Sequence, residues 1–222
     1  VLAVGQLSFY SAEASAPRVA DLAGVLCGPG RMVGFGAGTA ARLSVVVEPR
    51  WRAVALVAAF AERAVRGVVT STDDGRYLVR TAFRTDLVDL ATRWLGGPPS
   101  GEPAGPIKSV PERFAVDGVT LRLWALVAGQ WSESGYLLGL DPDSPHTHRP
   151  LADALVRAGL PIALVDAGGP ALRVSGVRRL ARLVELVGDA PSGVPGHDWP
   201  AVAGNRGANA AVRVKKSSDG VT

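Results

Sequence analysis

The order of apolar runs and chain breakers over residues 17–96 is repeated over 107–190, and this repetition restricts the possible folds more than any other feature of the chain. In the first segment, residues 18–28 read as a helix with Val19, Leu22, Ala23, Val25 and Leu26 on or near its apolar face. A short strand follows near 32–37, then a strand at 42–48. An Ala-rich helix at 50–65 comes next, behind Pro49, a residue that a first helical turn tolerates. Residues 68–72 and 76–83 form a hairpin around Asp73-Asp74-Gly75, where an Asp-Gly pair favours a tight turn. A helix at 85–95 then stops at Gly96-Gly97.

The second segment has the same order: a helix at 118–129, a short strand near 131–134, a strand at 136–140, a helix at 148–158, a hairpin of 162–165 with 172–175 across Gly168-Gly169, and a helix at 177–187 closed by Gly188. Pro49 and Pro142 lie 93 residues apart, as do Gly67 and Leu160, and Gly96 and Gly188 lie 92 apart. Chance does not hold such an offset across five elements. The fold expected is therefore α+β: two pseudo-symmetric αββαββα repeats, with mixed or antiparallel sheets and helices on one face. The organisation is an N-terminal extension (1–16), repeat 1 (17–96), a Pro/Gly linker (97–106), repeat 2 (107–190) and a flexible basic tail (191–222). Such a chain is a pseudo-dimer by itself, and its oligomeric state is open.

Residues 22–30 read Leu-Ala-Gly-Val-Leu-Cys-Gly-Pro-Gly. They resemble the LAGLIDADG motif that names a family of homing endonucleases, matching at Leu22, Ala23, Gly24 and Gly30, with conservative changes at Val25 and Leu26. A looser copy at 123–131, Leu-Trp-Ala-Leu-Val-Ala-Gly-Gln-Trp, stands at the corresponding place in repeat 2. Independently of the name, Ala23, Gly24 and Gly28 in one helix and Ala125, Ala128 and Gly129 in the other make two faces without bulk, so that the helices can cross closely. The resemblance covers about 17–188. It implies DNA binding on the exposed sheet faces, and a divalent metal held by the last acidic residue of each motif, where hard oxygen ligands are needed. Here those positions are Pro29 and Gln130, neither of which supplies a charge, and the first half has no acid between Asp21 and Glu48.

The resemblance therefore implies a degenerate, non-catalytic member, similar to the WhiA family of sporulation regulators in its Ala/Arg-rich helices and Val-rich strands. The residues after Gly188 carry no helix-turn-helix pattern, so that family's separate DNA-reading domain has no counterpart expected here.

Strand alternation indicates what an exposed sheet face would carry. Leu43, Val45 and Val47 point inward, leaving Arg42, Ser44, Val46 and Glu48 outward. Inward Tyr77, Val79 and Phe83 leave Arg76, Arg80 and Arg84 on one side, with Thr70 and Thr72 from the neighbouring strand. The corresponding face of repeat 2 shows Gly139, Asp141, Asp166, Arg173 and Ser175, which is nearly neutral. The expected nucleic-acid-binding residues are thus Arg42, Arg76, Arg80, Arg84, Thr70, Thr72 and Arg173, with duplex DNA the partner and the basic tail assisting through counterion release.

Net charge says less. The chain carries 24 basic and 20 acidic residues, for a charge of +4, and its only lysines are Lys108, Lys215 and Lys216. The single cysteine, Cys27, excludes an internal disulfide and fits a cytoplasmic location; among Leu22, Val25 and Leu26 it reads as a core residue. No uncharged stretch approaches the roughly 20 residues of a membrane span, and the opening residues lack a signal peptide's basic n-region. His146 and His148 could share a metal, but the matching connection in repeat 1, Glu48-Pro49-Arg50, has no histidine. Gly36-Ala-Gly38-Thr-Ala-Ala41 matches a nucleotide-binding string, yet a Val-rich strand follows where a helix is required. No catalytic residue, metal or cofactor is assigned. The leading expectation is a non-catalytic DNA-binding or regulatory protein. The alternatives are a divalent-metal-dependent endonuclease using an acid such as Glu133, and a protein-interaction scaffold.

Overall fold

The structure, a computed structural model, describes residues 11, 12, 15–96 and 107–201. The expected linker (97–106), residues 1–10 and residues 202–222 lie outside them. Repeat 1 opens with a 3-10 turn, Val19–Leu22, running into α1 (Ala23–Cys27). β1 (Arg31–Phe35), β2 (Ala40–Val47), α2 (Arg50–Ala61), β3 (Gly67–Ser71), β4 (Tyr77–Thr81) and α3 (Val88–Trp94) follow. A short ribbon of β5 (Leu95–Gly96) and β6 (Ile107–Lys108) flanks the linker. Repeat 2 has α4 (Gly118–Ala128), β7 (Gly129–Ser132), β8 (Gly135–Gly139), α5 (His148–Arg157), β9 (Ala163–Asp166), β10 (Pro170–Val174) and α6 (Val177–Val187).

Each repeat builds one antiparallel four-stranded sheet, in the orders β1-β2-β4-β3 and β7-β8-β10-β9. The registers agree. Ser44 pairs with Arg80 and Leu137 with Arg173, so both strands of each pair are displaced by 93 residues between repeats. The two sheets are duplicates in detail as well as in order.

Alternation sets the inner layer of sheet 1: Ala41, Leu43, Val45 and Val47 of β2 are buried, while Arg42, Ser44 and Val46 between them are partly exposed. The helices cover this inner face. α4 is the centrepiece, apolar nearly all round, and only Arg122 and Ala128 of its eleven residues escape full burial, as expected of a helix packed on every side. Its start is fixed by Asp117, whose side chain accepts the Thr120 N–H at 2.8 Å. α1 lies against it, with all five of its residues buried. A Cβ on Gly24 would stand 2.2 Å from the Thr120 carbonyl oxygen and 2.7 Å from Leu123 Cβ, so glycine alone fits that crossing. One continuous core runs through both halves, from Leu26, Leu56 and Val79 to Trp124, Leu138 and Leu155.

Two details depart from the sequence reading. Phe83 is exposed, because a one-residue bulge interrupts the β2–β4 pairing: Ser44 faces Arg80 but Ala41 faces Arg84. The Leu43 N–H left over inside the bulge is taken by the buried Thr81 hydroxyl at 3.1 Å. Secondly, residues 191–201, counted with the tail, are packed. Trp199 is buried, its indole N–H bonds Gly188 O at 2.9 Å, its carbonyl receives the Trp131 indole, and the Arg122 guanidinium lies 5.4 Å from its ring centroid. Among the described residues no helix is long and apolar enough to cross a membrane.

Candidate nucleic-acid interface and central cleft

Register assigns every outward side chain of sheet 1. Arg31, Ser44, Arg80 and Val68 form one row across all four strands, which places Arg31 and Arg80 about 10 Å apart at two strand spacings. Val33 and Arg42 form the next row, while Val46, Leu78 and Thr70 lie on the other side of it. The bulge adds Phe83, whose ring meets exposed Phe35 at 5.1 Å and lies 4.7 Å from the Arg42 guanidinium. The face is thus basic with apolar interruptions, and Val33, Phe35, Val68 and Phe83 are its exposed apolar members.

The four candidate arginines of repeat 1 separate into two kinds. Arg76 is tied to Asp74 at 2.6 Å in the β3–β4 turn, where Thr72 also bonds the same carboxylate. Arg84 is tied to Asp86, also at 2.6 Å, and its pairing with inward Ala41 takes it off the line of Arg80. These bonds hold both aspartates below the ordinary carboxylate range. Arg42 and Arg80, in contrast, have no ion-pair partner among the described residues, and the buried Nε of Arg42 has no hydrogen-bond acceptor. Thr70 stands on the outer face beside Leu78.

Sheet 2 is poorer in charge. The row equivalent to Arg31–Ser44–Arg80–Val68 is Gln130–Leu137–Arg173–Ala163. Arg173 therefore corresponds to Arg80; it donates to Ser134 Oγ at 3.0 Å, and its Nε is buried without an acceptor. Asp141, expected on this face, is instead buried and paired with Lys108, and Asp166 pairs with Pro170 on the opposite parity and accepts the Gly169 N–H in the turn.

The ends of the sheets meet over the ends of α1 and α4 at a cleft of about 670 Å³, lined by Pro29, Arg31, Glu48, Arg76, Ala128, Gln130, Asp141 and Asp143 among others. Here the register corrects the second motif. Arg31 pairs with Ser44 and Gln130 with Leu137, so Arg31 is the equivalent of Gln130, and Gly30 of Gly129. The motif copy is therefore Leu121-Arg-Leu-Trp-Ala-Leu-Val-Ala128-Gly129, and its terminal acid position is Ala128 rather than Gln130. Pro29 and Ala128 offer no side-chain ligand at all.

The remaining donors do not compensate. Glu133 sits exposed in the β7–β8 turn, about 10 Å along the strand from Gln130 and outside the cleft. Asp143 is paired with Arg31, and the Asp141 carboxylate lies 3.0 Å from Lys108 Nζ. Burial raises the Asp141 carboxyl, but the Lys108 charge and hydrogen bond outweigh it and hold it below its usual range. His146 and His148 each turn Nε2 to a backbone carbonyl, of Lys108 and Asp141 respectively. Among the described residues no group of three or more His, Cys, Asp and Glu could hold a metal ion. The divalent metal that the sequence resemblance implies does not fit the residues present. Cys27 is buried, and burial pushes its thiol far above the ordinary range, as for an unreactive core residue. Gly36 and Gly38 take left-handed conformations in the β1–β2 turn, where a nucleotide-binding string would open a helix.

Sequence reasoning missed two cleft residues, Arg31 and Arg52, and Lys108, which pairs with Asp141 of the cleft lining. Arg31 was within reach, because a strand starting directly after Gly30 puts it outward. Arg52 and Lys108 act across the two halves, and no local pattern marks them.

No protein-family model and no curated protein matches the sequence. The arrangement in space does match a solved structure, the homing endonuclease I-WcaI bound to its DNA recognition sequence. The match has 12% identity and a TM-score of 0.54, and it covers 84% of this chain and 90% of that one. At this identity the shared property is the fold: the chain has the duplicated α+β fold of a LAGLIDADG homing endonuclease.

Proposed function

We propose that this chain is a non-catalytic DNA-binding protein that holds duplex DNA against the outer face of sheet 1. The observation that carries the reading is the pair Arg42 and Arg80, two guanidinium groups on one outward sheet face with no carboxylate partner among the described residues. Arginine in that position suits phosphate oxygens or guanine edges, and exposed Val33 and Phe35 beside it suit thymine methyl groups. The fold supports the choice of partner, since the matching endonuclease is bound to its recognition sequence. Thr70 and Thr72 extend the contact surface, and Arg31 does so only on leaving Asp143. Arg76 and Arg84 contribute less, because each must first give up an aspartate, and Arg173 is the single cation that sheet 2 adds on the equivalent row. Pro29 and Ala128 at the motif acid positions support binding without cleavage, as does the placement of Glu133 away from the cleft.

Fluorescence anisotropy on labelled duplex DNA over about 50 to 200 mM salt tests this. Log affinity should fall linearly with log salt, and Arg42→Ala with Arg80→Ala should flatten the slope by about 2. Supercoiled plasmid incubated with Mg²⁺ should stay intact. Affinity that ignores salt, or a double variant that binds like the parent, refutes the DNA-binding reading; plasmid nicking that Glu133→Gln abolishes refutes the non-catalytic one.

A further inference from the structure

Gly30 and Gly129 hold the same place in the two repeats, one residue past each motif helix's missing acid, and each carbonyl receives a cation from the other half. Lys108, which precedes repeat 2's helices, reaches α1: its Nζ lies 2.5 Å from Gly28 O, 3.0 Å from Gly30 O and 3.0 Å from Asp141 Oδ2. Arg52, from repeat 1, reaches α4: its guanidinium donates to Leu126 O at 2.7 Å, to Ala125 O at 3.2 Å and to Gly129 O. The Lys108 side chain is 9% exposed and Arg52 7%. The exchange is reciprocal, and both cations cap the negative end of a motif helix.

We infer that the chain fills its own cation site: the Lys108 ammonium occupies a three-oxygen site at the end of α1 and replaces there an exchangeable metal ion. Two backbone carbonyls and one carboxylate converging on one point are the donors a hard cation takes. An ammonium satisfies all three with its three N–H bonds. Arg52 holds the equivalent carbonyl in repeat 2, so the joint between halves is tied by protein cations on both sides. This inference is independent of DNA binding, since it concerns buried groups at the joint and none of the outward arginines of sheet 1.

Lys108→Ala tests it, because the substitution leaves the Asp141 carboxylate and two carbonyls converging on an empty point. Thermal unfolding is followed in EDTA and in Ca²⁺, a cation of permissive geometry, and Ca²⁺ binding is measured by calorimetry. The parent should unfold at the same temperature in both buffers and give no saturable Ca²⁺ binding. The variant should unfold earlier in EDTA and recover about 5–10 °C at Ca²⁺ about 100-fold above its dissociation constant. Adding Asp141→Asn should remove that recovery. Saturable Ca²⁺ binding or a Ca²⁺-dependent shift in the parent overturns the inference, as does a folded Lys108→Ala chain indifferent to Ca²⁺. If the alanine variant does not fold in either buffer, Lys108→Met, which keeps most of the stem, replaces it under the same criteria. Failure of Ca²⁺ to recover either variant also overturns the inference.

Discussion

The joint between the repeats should fail at one glycine and tolerate change at the next. At Gly24 an added methyl would meet the Thr120 carbonyl oxygen at 2.2 Å and Leu123 Cβ at 2.7 Å, both on or close to the α4 backbone. Neither can swing aside as a side-chain tip could, so α1 and α4 must separate by about 1 Å to reach ordinary contact, and packing lost over such a gap is a large part of each contact's attraction. Overpacking of this kind costs about 3 kcal/mol, and the gain in helix propensity from Gly to Ala returns about 1 kcal/mol. Gly24→Ala should thus lose about 2 kcal/mol and lower Tm by roughly 4–8 °C for a chain of this size. Gly28→Ala is the internal control. Its methyl would meet Val127 Cγ1 at 3.3 Å, Ala128 Cβ at 3.4 Å and Trp124 Cδ1 at 3.5 Å, and Gly28 has an extended backbone that alanine adopts freely. That variant should stay within about 1 kcal/mol of the parent. Urea unfolding of the two variants beside the parent measures the difference, and equal midpoints for Gly24→Ala and Gly28→Ala would refute the close crossing.

Thr81→Val removes the hydroxyl that accepts the Leu43 N–H within the bulge and should cost about 1–3 kcal/mol, read from urea midpoints; Thr81→Ser should recover most of it. Trp199→Ala should cost about 3–5 kcal/mol in the same assay by undocking residues 191–201 from Gly188, Trp131 and Arg122, and a loss under about 1 kcal/mol would mean that this segment contributes nothing to the fold. The Asp141 carboxyl is held below its unfolded value, so the stability it contributes is complete above about pH 4 and is lost as pH falls through the lower folded value. Asp141→Asn should therefore flatten the acid limb of a stability-versus-pH curve, and an unchanged limb would count against the Lys108 pairing.

What could be read from the sequence is what local spacing controls. Element order, the 93-residue offset and the inward parity of Leu43, Val45 and Val47 depend on periodicities of a few residues, and the structure has all three. Phe83 escapes the alternation that its neighbours keep because the bulge shifts the parity by one, and a buried threonine gives no sign from sequence that it will serve a bulge. The second motif lies two residues earlier than its residue match and its place in the repeat indicate; the strand pairing of Gln130 with Leu137 fixes it, and pairing is a long-range fact. Asp141 looked like a surface acid for the same reason: Lys108, its partner, is 33 residues away.

The two repeats have diverged along a line that the packing explains. Sheet 2 belongs to the half that holds α4, the helix surrounded on all sides, and Trp131 and Tyr136 on its inner face are bound further by the backbone of residues 198–199. On its outer face Leu137 stands where sheet 1 has Ser44, and it is buried, so that position favours burial over contact with a charged ligand. Sheet 1 keeps a serine flanked by Arg31 and Arg80 there, and among the described residues Arg42 and Arg80 have no carboxylate partner. A sheet that buries its outward side chains gains stability but gives up surface for binding, about 1.5–3 kcal/mol for each large apolar group covered. Duplication lets one chain do both, because the joint at Gly24, Lys108 and Arg52 ties the better-packed half to the more exposed one. Pro29 and Ala128 carry no charge, so no repulsion between them opposes close approach of the helix ends, and the cations that cap them come from within the chain.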